Sequence, residues 1–131
     1  MNRSEHDPAV YLDVVADGEP TLVLLHGLMS DHAVFDELTT QLRDRFRVLA
    51  IDLPGFGRSA PPPDYSAAVF ADAIAGLIGR VAGGRAIVLG WSMGATAALQ
   101  LALDHPELVE RLVLTGATPC LTQRPDWPWG V

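Results

Sequence analysis

Five residues in the middle of the chain carry the clearest chemical signal: Gly90, Trp91, Ser92, Met93 and Gly94. An apolar run at residues 86–90 ends in the first glycine, and small and apolar residues at helical spacing follow the second. The pattern predicts a strand, a sharp turn and a helix, with the Ser92 hydroxyl at the apex. A turn that tight brings backbone against backbone on both sides of the serine, so a Cβ at either flank would clash. A serine raised in this way suits attack on an acyl carbonyl. It also sits at a helix N-terminus, where free N–H groups and the helix dipole favour developing negative charge. The plainer alternative is an N-cap serine, which has no need of glycine on both sides.

Attack on a carbonyl creates an oxyanion, which needs two backbone donors. One is the N–H of the residue after the nucleophile, Met93, and the other must come from the loop after an earlier strand. The apolar run at residues 21–25, TLVLL, leads into His26, Gly27, Leu28 and Met29. Leu28 is the expected second donor, since Gly27 lets the backbone swing towards the serine. An ordinary strand-ending turn at His26 and Gly27 is the alternative. Leu28, Trp91, Ser92 and Met93 then form the expected substrate-binding set, with the Leu28 side chain lining the acyl pocket. Trp91 either roofs that pocket or packs beneath whatever covers it.

The elements needed to hold these residues are legible as an alternation of strands and helices. Residues 10–15 read as a strand, and Asp17 with Gly18 suits a hairpin turn. After the strand at 21–25, a helix is expected at about 31–44, with Val34, Leu38 and Leu42 as its apolar stripe. A strand at 47–51 precedes a loop, 52–65, whose three consecutive prolines exclude a helix. Ser66 is the expected N-cap of a helix whose face is Val69, Phe70, Ala73, Ile74, Leu77, Ile78 and Val81, stopped by Gly83 and Gly84. The helix after Ser92 is small or apolar almost all round and ends at His105 before Pro106; a last strand is expected at 108–115. Residues 1–9 read as a loosely attached start, and 116–131 as a tail without a period. Unbroken apolar strands separated by helices indicate a parallel sheet covered on both faces.

Composition narrows the function further. The 131 residues carry a net charge of −7, which disfavours nucleic acid and anionic membrane as partners. No apolar run approaches the ~20 residues of a membrane span, and residues 1–10 lack a hydrophobic signal region, so a cytoplasmic location is the default expectation. Cys120, the single cysteine, has no partner for an internal disulfide and no ligand cluster beside it, so no structural metal is expected and Cys120 reads as a small half-buried apolar residue.

His-Gly after a strand, DLPGFGRS at 52–59, GWSMG at 90–94 and HPELVERLVLTGATP at 105–119, in that order, resemble the N-terminal half of the α/β-hydrolase fold. Within it the chain resembles the pimeloyl-acyl-carrier-protein methyl ester esterases of biotin synthesis. The resemblance rests on LVLLHG, DLPGFGRS, GWSMG, Pro119 with Cys120, and Asp126-Trp127-Pro128. It covers nearly the whole chain. It implies a mostly parallel sheet with helices on both faces, a cofactor-free and metal-free carboxylesterase, and an ester substrate that is a small molecule or is linked to acyl carrier protein. One departure concerns the site: that family has a tryptophan where this chain has Leu28.

A serine needs a base and a carboxylate to orient it, and in this fold they follow in the order Ser, Asp or Glu, His. The only histidine after Ser92 is His105, at the far end of a helix that rises ~1.5 Å per residue, roughly 20 Å away. His26 belongs to the oxyanion loop, and His6 and His32 are expected at flexible or surface positions. Glu107 and Glu110 lie near the distant helix end, and Asp126 has no histidine after it. The expectation is that acid and histidine are not in these residues, and that 1–131 are the N-terminal part of a single α/β-hydrolase domain, truncated before the cap and last strands. A complementary C-terminal half is then a partner. The alternatives are an inactive fragment or non-catalytic half-domain, or another chemistry on the same serine: carbon–carbon bond hydrolysis, lactone opening or perhydrolysis.

Overall fold

Side-chain alternation along the strands divides the apolar residues between two cores. A computed structural model describes residues 10–15, 18–118, 120 and 122–130. In it, strands β1 (Leu12–Val14), β2 (Thr21–Leu25), β3 (Arg47–Ile51), β4 (Ala86–Trp91) and β5 (Val109–Thr115) form one sheet in the order β1-β3-β2-β4-β5. All neighbours are parallel except β1, which runs antiparallel to β3. Leu22, Leu24 and Val48 point to one face and pack with Phe35 and the partly buried Leu38 and Leu42. Val23, Leu25, Leu49, Ile51 and Val88 point to the other and meet helices α2 (Ala67–Val81) and α3 (Met93–Asp104). The result is three layers, with β2 and β3 buried on both faces as continuous apolar runs require and the outer strand β5 largely exposed.

Strand register places the site. Leu25 stands opposite both Ile51 and Gly90, and Trp91 opposite Thr115. The residues that follow these positions, His26, Asp52, Ser92 and Gly116, therefore emerge together along the carboxyl edge of the sheet.

Several expectations hold to the residue. β2 and β3 have the predicted limits, and Ser66 caps α2 by accepting the Val69 N–H at 3.3 Å. Gly83 and Gly84 end that helix region with φ of 65° and 107°, conformations that suit residues without a Cβ. Other expectations change. The segment after the His-Gly pair begins as a 3-10 turn, His32–Phe35, before helix α1, Asp36–Leu42. That turn shifts the phase of the stripe, so Phe35 is buried and Val34 is half exposed. The anticipated hairpin does not form between β1 and β2, because β3 lies between them; Asp17 itself, like residues 1–9, lies outside the described residues. Helix α3 lies against the sheet through Ala95, Ala97, Ala98 and Leu101 as its composition suggests, with Leu103 on its exposed side. The tail has local structure: Arg124 and Trp127 form an antiparallel bridge, and the Trp127 indole N–H donates to the Cys120 carbonyl at 3.0 Å. Cys120 is half-buried, and Pro119 lies outside the described residues. Among the described residues no helix is long and apolar enough to cross a membrane.

Candidate active site

Ser92 occupies the turn between β4 and α3 with φ 55° and ψ −116°. This conformation is strained for any residue with a Cβ, and among the described residues only Met29, at φ 58°, shares a positive φ without being glycine. Although Ser92 stands at the N-cap position of α3, its side chain makes no cap hydrogen bond. Its backbone does the anchoring: the N–H donates to the Thr115 carbonyl at 2.9 Å, and the carbonyl accepts from Ala95 and Thr96. The hydroxyl therefore does not serve as a helix cap in this conformation.

The flanking glycines are steric requirements. A Cβ on Gly90 would run into the Gly94 carbonyl oxygen and lie 2.6 Å from the Ala95 Cα. One on Gly94 would run into the Leu25 carbonyl oxygen, with the Leu25 carbonyl carbon at 2.6 Å. Close passage of α3 over the end of β2 sets the elbow beside the His-Gly loop. Gly27 lies against the serine, its own hypothetical Cβ only 3.4 Å from the Ser92 Cβ and 3.0 Å from the Trp91 ring.

Leu28, Ser92 and Met93 line one cleft of about 540 Å³, together with Phe56, Tyr65, Phe70, Gly116 and Thr118. Neither the Leu28 nor the Met93 N–H is engaged in a hydrogen bond among the described residues. The cleft wall is aromatic: Phe56 meets Tyr65 edge to face at 6.1 Å, and Tyr65 meets Phe70 at 6.3 Å. Gly55, at φ 84°, makes room for the Tyr65 ring. Among the described residues no arginine or histidine lines the cleft. Trp91 is not among the lining residues; its indole lies over Gly27 and beside Gly116, 39% exposed. Spacing does not mark Phe56, Tyr65 or Thr118, and it places Phe70 only on the apolar face of a helix. Only the position of 56 and 65 in the loop after β3, and of 118 after β5, at the same sheet edge as Ser92, signals them.

The histidines have other work. His26 is fully buried, with Nδ1 donating to the Gly27 carbonyl at 2.7 Å and Nε2 accepting the Leu53 N–H at 3.0 Å. Burial holds its pKa below the ordinary histidine value, against the opposing effect of the Gly27 carbonyl, so the ring is neutral in this arrangement. His32 is not loose at the surface: its Nδ1 donates to buried Asp52 at 2.8 Å, and its backbone N–H donates to the same oxygen at 2.7 Å. Burial on its own would raise the Asp52 pKa most, but the N–H groups of Arg58 and His32 and the His32 ring together hold it below the ordinary value. Asp31, His32 and Asp52 cluster within metal-ligand reach of one another. Both Asp52 oxygens already accept N–H donors, from His32 and Arg58, and one Asp31 oxygen accepts the Ala33 N–H. His105 closes the far end of α3 and contacts Asp72 on α2 at 3.1 Å. Asp126 is exposed beside Arg124. His6 lies outside the described residues.

The sequence profile of the α/β-hydrolase fold matches residues 20–130. A pimeloyl-acyl-carrier-protein methyl ester esterase from Nitrosomonas europaea is 39% identical over 127 residues, 94% of this chain and 47% of that protein. Among solved structures, an esterase from Exiguobacterium antarcticum superimposes with a TM-score of 0.82 at 32% identity, covering 92% of this chain and 46% of its own. An E-2-(acetamidomethylene)succinate hydrolase gives 0.78 at 36% identity, over 86% and 42%. The chain thus spans about half the length of the relatives it matches. With the strained elbow, the parallel sheet and the profile in agreement, this chain belongs to the α/β-hydrolase fold family.

Proposed function

We propose that the chain carries the nucleophile half of a serine hydrolase of carboxylic esters. Ser92 Oγ attacks the ester carbonyl, the Met93 and Leu28 N–H groups receive the oxyanion, and the alcohol leaves to give an acyl-enzyme that water hydrolyses. The observation that carries this reading is a serine held at φ 55° with no capping bond, on the wall of an apolar cleft. Strain of that kind persists where a function uses it. The cleft's aromatic wall, without a cationic side chain among the described residues, fits an uncharged acyl chain, in keeping with the methyl esters on acyl carrier protein named for the relatives. No metal or cofactor enters the proposed steps.

The base that takes the Ser92 proton, and the carboxylate that orients it, come in this proposal from outside the 131 residues, within one α/β-hydrolase domain to which this chain contributes the N-terminal part. His26 and His32 are engaged by Leu53 and Asp52, and His105 is on the far side of α3. The same histidine positions favour a second reading, in which this polypeptide alone is a non-catalytic half-domain. Co-expression with the C-terminal half of a full-length relative separates the two. Hydrolysis of an acyl methyl ester that appears with the complementary half and disappears in Ser92→Ala supports the first. Activity that survives Ser92→Ala removes Ser92 as nucleophile. The chain by itself is expected to give little or no turnover of a short-chain nitrophenyl ester; robust turnover would show that a base lies within it.

A further inference from the structure

Residues 27–31, which carry the Leu28 N–H, hold an unfavourable backbone without burying the side chains at their tip. Met29 has φ 58°, yet Leu28 is 64% and Met29 88% exposed. Apolar burial therefore does not fix this loop. Its own turn contributes one long bond, from the Ser30 N–H to the Gly27 carbonyl at 3.3 Å. A positive φ at methionine costs on the order of 1 kcal/mol and needs external restraint.

Two consecutive residues after β3 supply that restraint at opposite ends of the loop. At the start, the Leu53 N–H donates to His26 Nε2, which fixes the ring so that Nδ1–H donates to the Gly27 carbonyl. At the end, the Asp52 carboxylate takes the His32 backbone N–H and the His32 ring on one oxygen. This corner is itself rigid. Its second carboxylate oxygen accepts the Arg58 N–H at 2.9 Å, the Ser59 hydroxyl donates to the Asp52 carbonyl at 2.5 Å, and the Asp52 N–H donates to Tyr11 at 3.0 Å. Gly57, at φ 54°, has no room for a Cβ against the carboxylate.

We propose that Asp52 and His26 are positioning residues for the oxyanion donor: they grip the two ends of the 27–31 loop from one corner and so hold the Leu28 N–H beside Ser92. The proposal rests on reading Ser92 as nucleophile and Leu28 as its donor, but the grip is measurable on the chain as it exists. In the unmodified protein, amide exchange by NMR should find the His32 and Leu53 N–H groups protected with the sheet, and long-range nitrogen spectra should find the His26 proton on Nδ1. Fast exchange at either amide, or a proton on Nε2, overturns the proposal without any variant. Asp52→Ala is expected to speed Ser30 amide exchange at least about tenfold and to lower the Leu28 order parameter to about 0.6 or below, while β4 amides keep their shifts. Asp52→Asn keeps an acceptor oxygen for His32 and should restore most of the rigidity. A folded Asp52→Ala with wild-type loop dynamics refutes the grip. Ser92→Ala should leave every one of these readouts unchanged, so failure of the nucleophile reading, seen in ester hydrolysis, is distinct from failure of the grip.

Discussion

The Nε2 of His26 accepts the Leu53 N–H at 3.0 Å, a bond that exists only while the ring is neutral. Burial lowers the folded-state pKa of this ring below 6.5. Between the two values the unfolded chain binds a proton that the folded chain refuses, so this contribution is complete above about pH 6.5 and declines as pH falls. Asp52 follows at lower pH: its folded value lies below 3.8, so its contribution is present above 3.8 and is lost as pH drops through the folded value. Urea denaturation midpoints from pH 7.5 to 4.5 should reveal the first stage, with a slope of at most about 1.4 kcal/mol per pH unit for one proton. His26→Asn should flatten it. An unchanged slope in that variant would assign the pH dependence to other groups.

Ser92 departs from the behaviour of a helix cap, and stability can report the difference. Replacing a capping serine by alanine costs about 1 kcal/mol. Here no side-chain cap bond exists and the backbone is strained, so Ser92→Ala should be close to neutral. Ser92→Gly should gain about 1 kcal/mol, relief of strain exceeding glycine's greater entropy loss. Thermal or urea unfolding of the two variants decides, and a loss of 1 kcal/mol or more in both would return Ser92 to an ordinary structural role.

Much of this architecture is legible in the sequence because burial and steric exclusion leave direct marks. After Thr21 and Arg47, the runs LVLL and VLAI are unbroken apolar residues since both faces of β2 and β3 are covered. Gly90 and Gly94 bracket Ser92 since backbone atoms occupy the space of their side chains. What spacing does not encode is which strands become neighbours. The Asp17-Gly18 pair reads locally as a hairpin, but β3 inserts beside β1, a choice made by the whole sheet. His32 illustrates the same limit: nothing near it in sequence indicates a bond to a carboxylate 20 residues away. Tyr65 and Phe70 enter the cleft only when α2 docks beside α3.

Two glycines in helices should respond to alanine in opposite ways. At Gly94 the added methyl meets the Leu25 and His26 backbone carbonyls, which are parts of β2 and its exit and have nowhere to move. Gly94→Ala should cost about 3 kcal/mol or leave the chain unfolded. At Gly79, on the exposed side of α2, a Cβ meets nothing within 4 Å. Gly79→Ala should stabilise by about 0.5 to 1 kcal/mol through helix propensity and a less disordered unfolded state. Urea unfolding of the two variants in parallel tests the steric account of the elbow; a tolerated Gly94→Ala would contradict it.

The outer strand β5 gives the last prediction. It pairs with β4 on one side only, and its residues alternate between faces: Leu112 and Leu114 on one, Val113 on the other. Leu112 packs on the larger core, yet Leu114 is 38% and Val113 45% exposed, so apolar surface is open on both faces beyond β4. An unpaired apolar edge is a template for another strand, and charged residues are the usual deterrent. Arg111 and Glu110 guard only the start of the strand. The 131-residue chain should therefore self-associate with increasing concentration, through β5 rather than through the covered edge residues of β1, where Leu12 and Val14 are buried. Val113→Lys places a charge in the middle of the exposed stretch without touching Leu112, and sedimentation velocity should shift towards monomer. A size distribution that does not respond would move the association to another surface. If a complementary half restores ester hydrolysis by adding a strand beside β5, Val113→Lys should weaken that restoration as well, which ties the edge of the sheet to the completion of the site.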